Sequence, residues 1–177
     1  PHVYAIAESN HVDHYAVEYF CNGDARLKTA MDTILKELRD AKEYGSILNV
    51  TSQDCSALYA RFDEIQEDIH ISREAVLREL LPLVQCAEAM GQKYMIAVTN
   101  PPYLSARGGM TPTLTKYLSK NYSQSKNDLF TVFMDVCTRM LQYSGLYSMV
   151  NQHSWMFLAG FAKMREKMYA SITIDNM

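Results

Sequence analysis

Tyr94-Met95-Ile96-Ala97-Val98-Thr99-Asn100-Pro101-Pro102-Tyr103 decides how the 177-residue chain is read. An apolar run that ends in an Asn-Pro dipeptide reads as a strand over 94–99 stopping at a turn. Asn100 is held extended because it precedes a proline, and Pro101 and Pro102 stiffen the backbone that follows. The corner therefore carries an amide side chain at one end and a phenol ring at the other. The Asn100 side-chain oxygen and the Pro101 main-chain carbonyl can together accept both hydrogens of an amine. That arrangement localises the nitrogen lone pair and aims it at an electrophile, while Tyr103 offers a flat face to a planar group. A tetrad of this composition arises by chance about once in 10^5 to 10^6 positions. The plainer alternative is a structural turn closing a strand.

The tetrad resembles motif IV of the amino-methyltransferases. That group includes adenine-specific DNA methyltransferases, glutamine methyltransferases and some RNA guanine methyltransferases, so the motif names an amine-directed methyl transfer and not a substrate.

Length and composition suit one domain with a real core, apolar residues being 48% and charged residues 21% of the chain. No apolar run approaches the roughly 20 residues of a membrane span, and no secretory signal opens the chain. Cys21, Cys55, Cys86 and Cys137 are widely spaced, which reads as buried reduced thiols in a cytoplasmic protein. Net charge is −3, unevenly distributed: residues 1–100 carry −7 and residues 101–177 carry +4. A basic half downstream of the tetrad suits a polyanionic partner, or else reflects solvated helix faces.

Upstream, Val3–Ala7 is a short strand candidate. His11, Asp13 and His14 lie close together, but no third metal ligand joins the two histidines, and no metal site is assigned. Asp24 caps a helix over 25–42, and Gly45 lies past its end. Residues 47–50 are a strand or a buried loop. Ser52 or Asp54 caps a helix bearing Leu58, Phe62, Ile65 and Ile69, whose acidic residues Asp63, Glu64, Glu67 and Asp68 form a solvated face. A third helix runs from Ser72 to Met90, with a kink or break expected near 78–82 because of Pro82.

Downstream, the polar stretch from Leu104 to Lys126 holds Gly108-Gly109, Arg107, Lys116, Lys120 and Lys126, with a short helix over 113–118. It reads as a loop gripping nucleic acid, against the alternative of a surface excursion. Asn127 or Asp128 caps a helix over 129–143, a strand over 146–150 follows, and Asn151–Ser154 make a polar turn. Trp155–Tyr169 reads as a helix and 171–174 as a further strand. Strand, helix, strand between 94 and 150 is a parallel crossover unit, and ligands of open α/β sheets sit beyond the C-terminal strand ends. Both polar turns then fall on one rim.

Asp40–Ile47, Lys93–Tyr103, Ser125–Phe130 and Gln152–Leu158 together are similar to the PglX family, the adenine-specific DNA methyltransferases of BREX phage-defence systems. Met95 replaces the usual aspartate, and Ser144-Gly145 replaces a Gly-Gly turn. The resemblance implies an α/β, partial Rossmann-like fold with a parallel sheet flanked by helices. It also implies methyl transfer from S-adenosylmethionine to adenine N6 of a base flipped out of double-stranded DNA, in phage defence. Asn100, Pro101, Pro102 and Tyr103 would be catalytic, and Asp128 would be near the cofactor. Arg107, Lys116, Lys120, Lys126, His153 and Trp155 would contact DNA. Other defence-system subunits are candidate partners. The rival readings are a protein-glutamine or RNA methyltransferase and a catalytically silent DNA-binding subunit.

No Gly-rich cofactor loop follows a first strand, and no later target-recognition region is recognisable. Residues 1–177 are therefore expected to be part of a methyltransferase catalytic domain. In isolation they should bind S-adenosylmethionine weakly in a calorimetric titration; tight binding would contradict that expectation.

Overall fold

The computed structural model describes residues 3–105 and 108–175, and the chain divides into two units, 1–92 and 93–177.

The first unit is helical, with α1 (His14–Cys21), α2 (Ala25–Glu37), α3 (Ala41–Tyr44), α4 (Ser56–Gln66) and α5 (Arg73–Gly91). Short polar caps set the boundaries. Asp13 accepts from Tyr15 N at 3.0 Å, and Asp24 accepts from Arg26 N at 2.7 Å. Each side-chain oxygen satisfies an N–H that the first helical turn leaves open. Asp54 serves the same end at α4, accepting from Ser56 N at 2.9 Å. Phe20, Met31, Ile34, Leu58, Phe62, Ile65 and Leu80 fill the core, with the Phe20 and Phe62 rings tilted at 4.6 Å. Arg61 ties α4 to α1 by donating to the carbonyls of Phe20 at 2.9 Å and Tyr19 at 3.2 Å.

Several sequence expectations change here. Val3–Ala7 is irregular and pairs with no strand among the described residues. Helix α2 stops at Glu37 rather than 42, and the expected strand or loop over 47–50 starts with the buried Ile47 at the end of a single turn, Gly45–Ile47, followed by the buried Leu48. Helix α4 ends at Gln66, which leaves Ile69 fully exposed. Helix α5 continues through Pro82 without the break that was one of the two expected outcomes. Proline removes the bond to the carbonyl four residues earlier and crowds that carbonyl, and the buried stripe from Val76 to Ala87 outweighs that cost. Asp13 serves as a cap, and His14 lies beside Glu18 at 3.0 Å.

The second unit is built on β1 (Tyr94–Thr99) and β2 (Leu141–Met149), which pair in parallel through a crossover containing α6 (Pro112–Asn121) and α7 (Leu129–Met140). Helix α8 (Ala162–Ser171) follows. Ile96 to Thr99 pair in register with Leu146 to Met149, whereas Tyr94 pairs with Leu141. Residues 142–145 thus form a bulge, where Ser144 has a φ of 62°. Gly145 sits at its close approach, because a Cβ there would lie 3.1 Å from the carbonyl oxygens of Gln142, Met95 and Tyr94. The expected helix to 143 is cut short by this pairing, since β2 begins directly after Met140.

Met149 packs on the core of Phe130, Met134, Trp155, Phe161, Met164 and Met168, contributed by α7, α8 and the turns between β2 and α8. On the opposite face Ile96, Val98 and Leu146 are 66%, 76% and 67% exposed. Among the described residues, helices therefore cover one face of the sheet. The expected helix over 155–169 is broken into single turns, His153–Met156 and Ala159–Phe161, before α8. Residues 172–175 pair with no strand, and Ile172 and Ile174 lie against the core.

Replacing Gly145 by Ala should destabilise the second unit by about 1–3 kcal/mol, the range for overpacking a closed site. Trp155 is the sole tryptophan and is buried, so its fluorescence during urea unfolding reports this unit. An unshifted midpoint would show that the bulge tolerates a side chain.

Candidate active site at the sheet rim

Parallel pairing delivers two turns to one edge. Asn100 follows β1 directly, and Val150 follows β2. Val150 N donates to Thr99 O at 3.3 Å, carrying the ladder one bond beyond the strands. The Tyr103 hydroxyl donates to Val150 O at 3.0 Å and so ties the tetrad to the second turn. Within that turn, Trp155 Nε1 donates to Asn151 Oδ1 at 3.0 Å. The rim expected from the two strand ends is thus formed.

The four tetrad residues are presented differently. Pro101 is buried and anchors the corner, while Asn100, Pro102 and Tyr103 are exposed. The Asn100 amide bonds to no other described residue, so its oxygen is available to a ligand. The Tyr103 ring, 45% exposed, rests one side at 6.1 Å from the Phe130 ring. Its hydroxyl bond fixes where the open part of the ring points.

Asp128 reaches the same edge by a different route. Leu129 N donates to Leu104 O at 3.0 Å, and Ser105 forms an antiparallel bridge with Asp128. Asp128 caps α7 by accepting from Phe130 N at 3.3 Å. Burial pushes its carboxyl above the usual carboxylate range, against the pull of the backbone N–H groups around it. The helix start is held by a buried network. Ser125 donates to Asp135 Oδ2 at 2.6 Å, and Thr131 Oγ1 lies 2.6 Å from Ser125 O. The stretch read as a gripping loop carries α6, capped by Thr111 and extending to Asn121.

Lys116 and Lys120 are exposed one turn apart on α6, and Lys126 is exposed beyond it. Arg107 lies outside the described residues. His153 is exposed on the second turn. Trp155 is only 4% exposed, so its ring packs in the core and holds Asn151 instead of facing a ligand. Arg165 is half-buried and donates to the carbonyls of Trp155 at 2.6 Å and Leu158 at 2.8 Å. No local pattern marks that role, because the partners are main-chain atoms of a turn. A cavity of about 190 Å³ opens instead between α7 and α8, lined by Met134, Asp135, Arg139 and Lys167 among others.

A rim with an open amide oxygen, an adjacent proline carbonyl and an aromatic face has the chemistry to accept a planar amine. Residues 13–177 match the family described as Eco57I restriction-modification methylase, and the chain belongs to that family. It is 43% identical over 99 residues to the adenine-specific methyltransferase PglX of Lacticaseibacillus casei (strain Zhang), which is 56% of this chain and 8% of that protein. It is 34% identical over 144 residues to the adenine-specific methyltransferase BrxX of Escherichia coli O9:H4 (strain HS), which is 80% of this chain and 12% of that protein. The chain thus spans about a tenth of the length of these relatives, and the resemblance read from the sequence is borne out.

Exchanging Tyr103 for Phe removes the bond to Val150 O and keeps the ring. It should lower the stability of the second unit by about 0.5–1 kcal/mol, the net worth of a partly exposed hydrogen bond. Urea unfolding followed by Trp155 fluorescence checks this, and a midpoint equal to the wild type would show that the hydroxyl does not clamp the rim.

Proposed function

We propose that the chain is part of the catalytic domain of an adenine-specific DNA methyltransferase acting in restriction-modification or phage defence. The observation that carries this reading is the exposed Asn100 amide, without a bonding partner among the described residues, at the C-terminal edge of a parallel strand pair, beside a tyrosine ring fixed by Val150 O. The parallel pair, its helical crossover and the rim position support a partial Rossmann-like sheet. The exposed apolar face of Ile96, Val98 and Leu146 fits cover by further elements of a longer protein.

In this reading the target adenine leaves the duplex and its ring lies on Tyr103. Asn100 Oδ1 and Pro101 O accept the two N6 hydrogens. Both acceptors draw the nitrogen lone pair out of conjugation with the ring, leaving it directed for attack. Proline suits the second acceptor, since it brings a carbonyl without an N–H of its own. When bound, S-adenosylmethionine supplies a methyl group on a positively charged sulfur. Asp128, at the capped start of α7 and bridged to Ser105, would lie beside that cofactor. The N6 proton lost on methylation passes to water, as neither acceptor can hold it.

Lys116, Lys120, Lys126 and Arg107 are assigned to DNA phosphates, and His153 to the DNA beside the target base. Trp155 acts through Asn151, as a positioning residue for the second turn. Among the described residues no helix is long and apolar enough to cross a membrane. The four free, buried cysteines fit a reducing cytoplasm.

The test is methyl transfer by the full-length protein to DNA, RNA and glutamine-bearing protein. DNA should be the acceptor, and Asn100→Ala should lower transfer at least 100-fold, the order of losing one preorganised polar contact in a transition state. Unchanged transfer by the variant would remove Asn100 from the mechanism. Transfer confined to RNA or protein would overturn the DNA reading.

A further inference from the structure

Phe157 is 73% exposed and its neighbour Leu158 is 56% exposed. Large apolar side chains at the surface are unremarkable when the backbone beneath them is loose. Here it is locked. Phe157 N and Leu158 N both donate to Ser154 O, at 3.3 and 3.0 Å. The carbonyls of Trp155 and Leu158 are both held by Arg165 Nη1. Leu158 O also accepts from Phe161 N at 3.1 Å, and Asn127 Nδ2 donates to Gly160 O at 2.8 Å. Trp155 is pinned to Asn151 from the core side. The turn thus presents an exposed ring on a rigid mount.

The mount belongs to the rim. His153 opens this turn three residues past Val150, whose carbonyl holds Tyr103. The turn brings Phe157 back to His153, with ring centroids 6.2 Å apart and edge-on at 64°. From Val136 to Arg165 the chain contains no Asp or Glu, and Lys163 is exposed just beyond the turn. Flat rings beside an exposed cation are the chemistry that stacks on nucleobases beside phosphates.

We propose that Phe157, with His153 edge-on to it, is a second base-contacting surface that engages the duplex where the target adenine leaves it. Leu158 widens the same apolar lip. The ring takes over stacking that the departing base gives up, which lowers the cost of extruding it. This inference rests on the DNA methyltransferase reading above. Arg165 is a positioning residue for the lip, acting through the two carbonyls.

The experiment compares full-length wild type, Phe157→Ala and Phe157→Tyr on two duplexes carrying the methylation site. One is fully paired, and in the other the target adenine faces an abasic position. Phe157→Ala should lose about tenfold or more in kcat/KM on the paired duplex, in the range that base–aromatic stacking supplies. Activity should be largely restored on the abasic duplex, where extrusion is easier. Phe157→Tyr should behave as wild type, and the thermal midpoint of both variants should be unchanged. Equal loss on the two duplexes, or no loss on either, would overturn the proposal. A lowered thermal midpoint for Phe157→Ala would also overturn it, by showing that another part of the protein packs on the ring. Wild-type protein that transfers nothing to DNA would sink the underlying reading as well, whereas active wild type with an indifferent Phe157→Ala sinks this inference alone.

Discussion

Parallel pairing of β1 with β2 is the constraint on which the rest of the second unit depends. Two strands running the same way must end on the same edge, so the turns after Thr99 and Met149 become neighbours although about 50 residues separate them. Nothing local to either turn would bring them together. Once they meet, one hydroxyl bond from Tyr103 to Val150 O converts proximity into fixed geometry. The bulge at 142–145 is the local adjustment that lets β2 start against Tyr94 and still place Met149 opposite Thr99. Gly145 is what allows three carbonyl oxygens to crowd that point.

Preorganisation is the link from this geometry to function. Among the described residues the Asn100 side chain has no bonding partner, while the buried Pro101 and the following Pro102 stiffen the backbone beside it. An exposed acceptor on a rigid corner loses little freedom when a ligand arrives. The supporting contacts lie behind the rim. Ser125 and Thr131 hold the start of α7, and Trp155 and Arg165 hold the second turn. The uncovered sheet face of Ile96, Val98 and Leu146 contrasts with the packed one, and the family members matched are far longer than this chain.

What the sequence made legible follows the range of the forces involved. Strand 94–99, the Asp24 and Asp128 caps and the crossover order all rest on short-range chemistry or simple periodicity, and the structure contains them. Where the outcome depends on a distant partner, the reading departs. Val3–Ala7 and 171–174 alternate as strands do but find no ladder among the described residues. The periodicity of 155–169 suggests one helix, yet Arg165 reaching back to two carbonyls stabilises a broken path. Trp155 was expected to contact DNA and is a core residue, whereas the aromatic exposed in that turn is Phe157. The tetrad was legible as chemistry from its residue types alone, but the clamp on Tyr103 was not, since its partner is a backbone oxygen of another strand's turn.

The central claim is that the Asn100 and Pro101 oxygens receive the two hydrogens of an amine whose ring lies on Tyr103. A structure of the full-length protein with a non-transferable cofactor analogue and a duplex bearing its methylation site tests this directly. The account predicts the target amine nitrogen within about 3 Å of both Asn100 Oδ1 and Pro101 O, with the base face on the Tyr103 ring. A target amine held by other groups, with Asn100 facing bulk water, would contradict it.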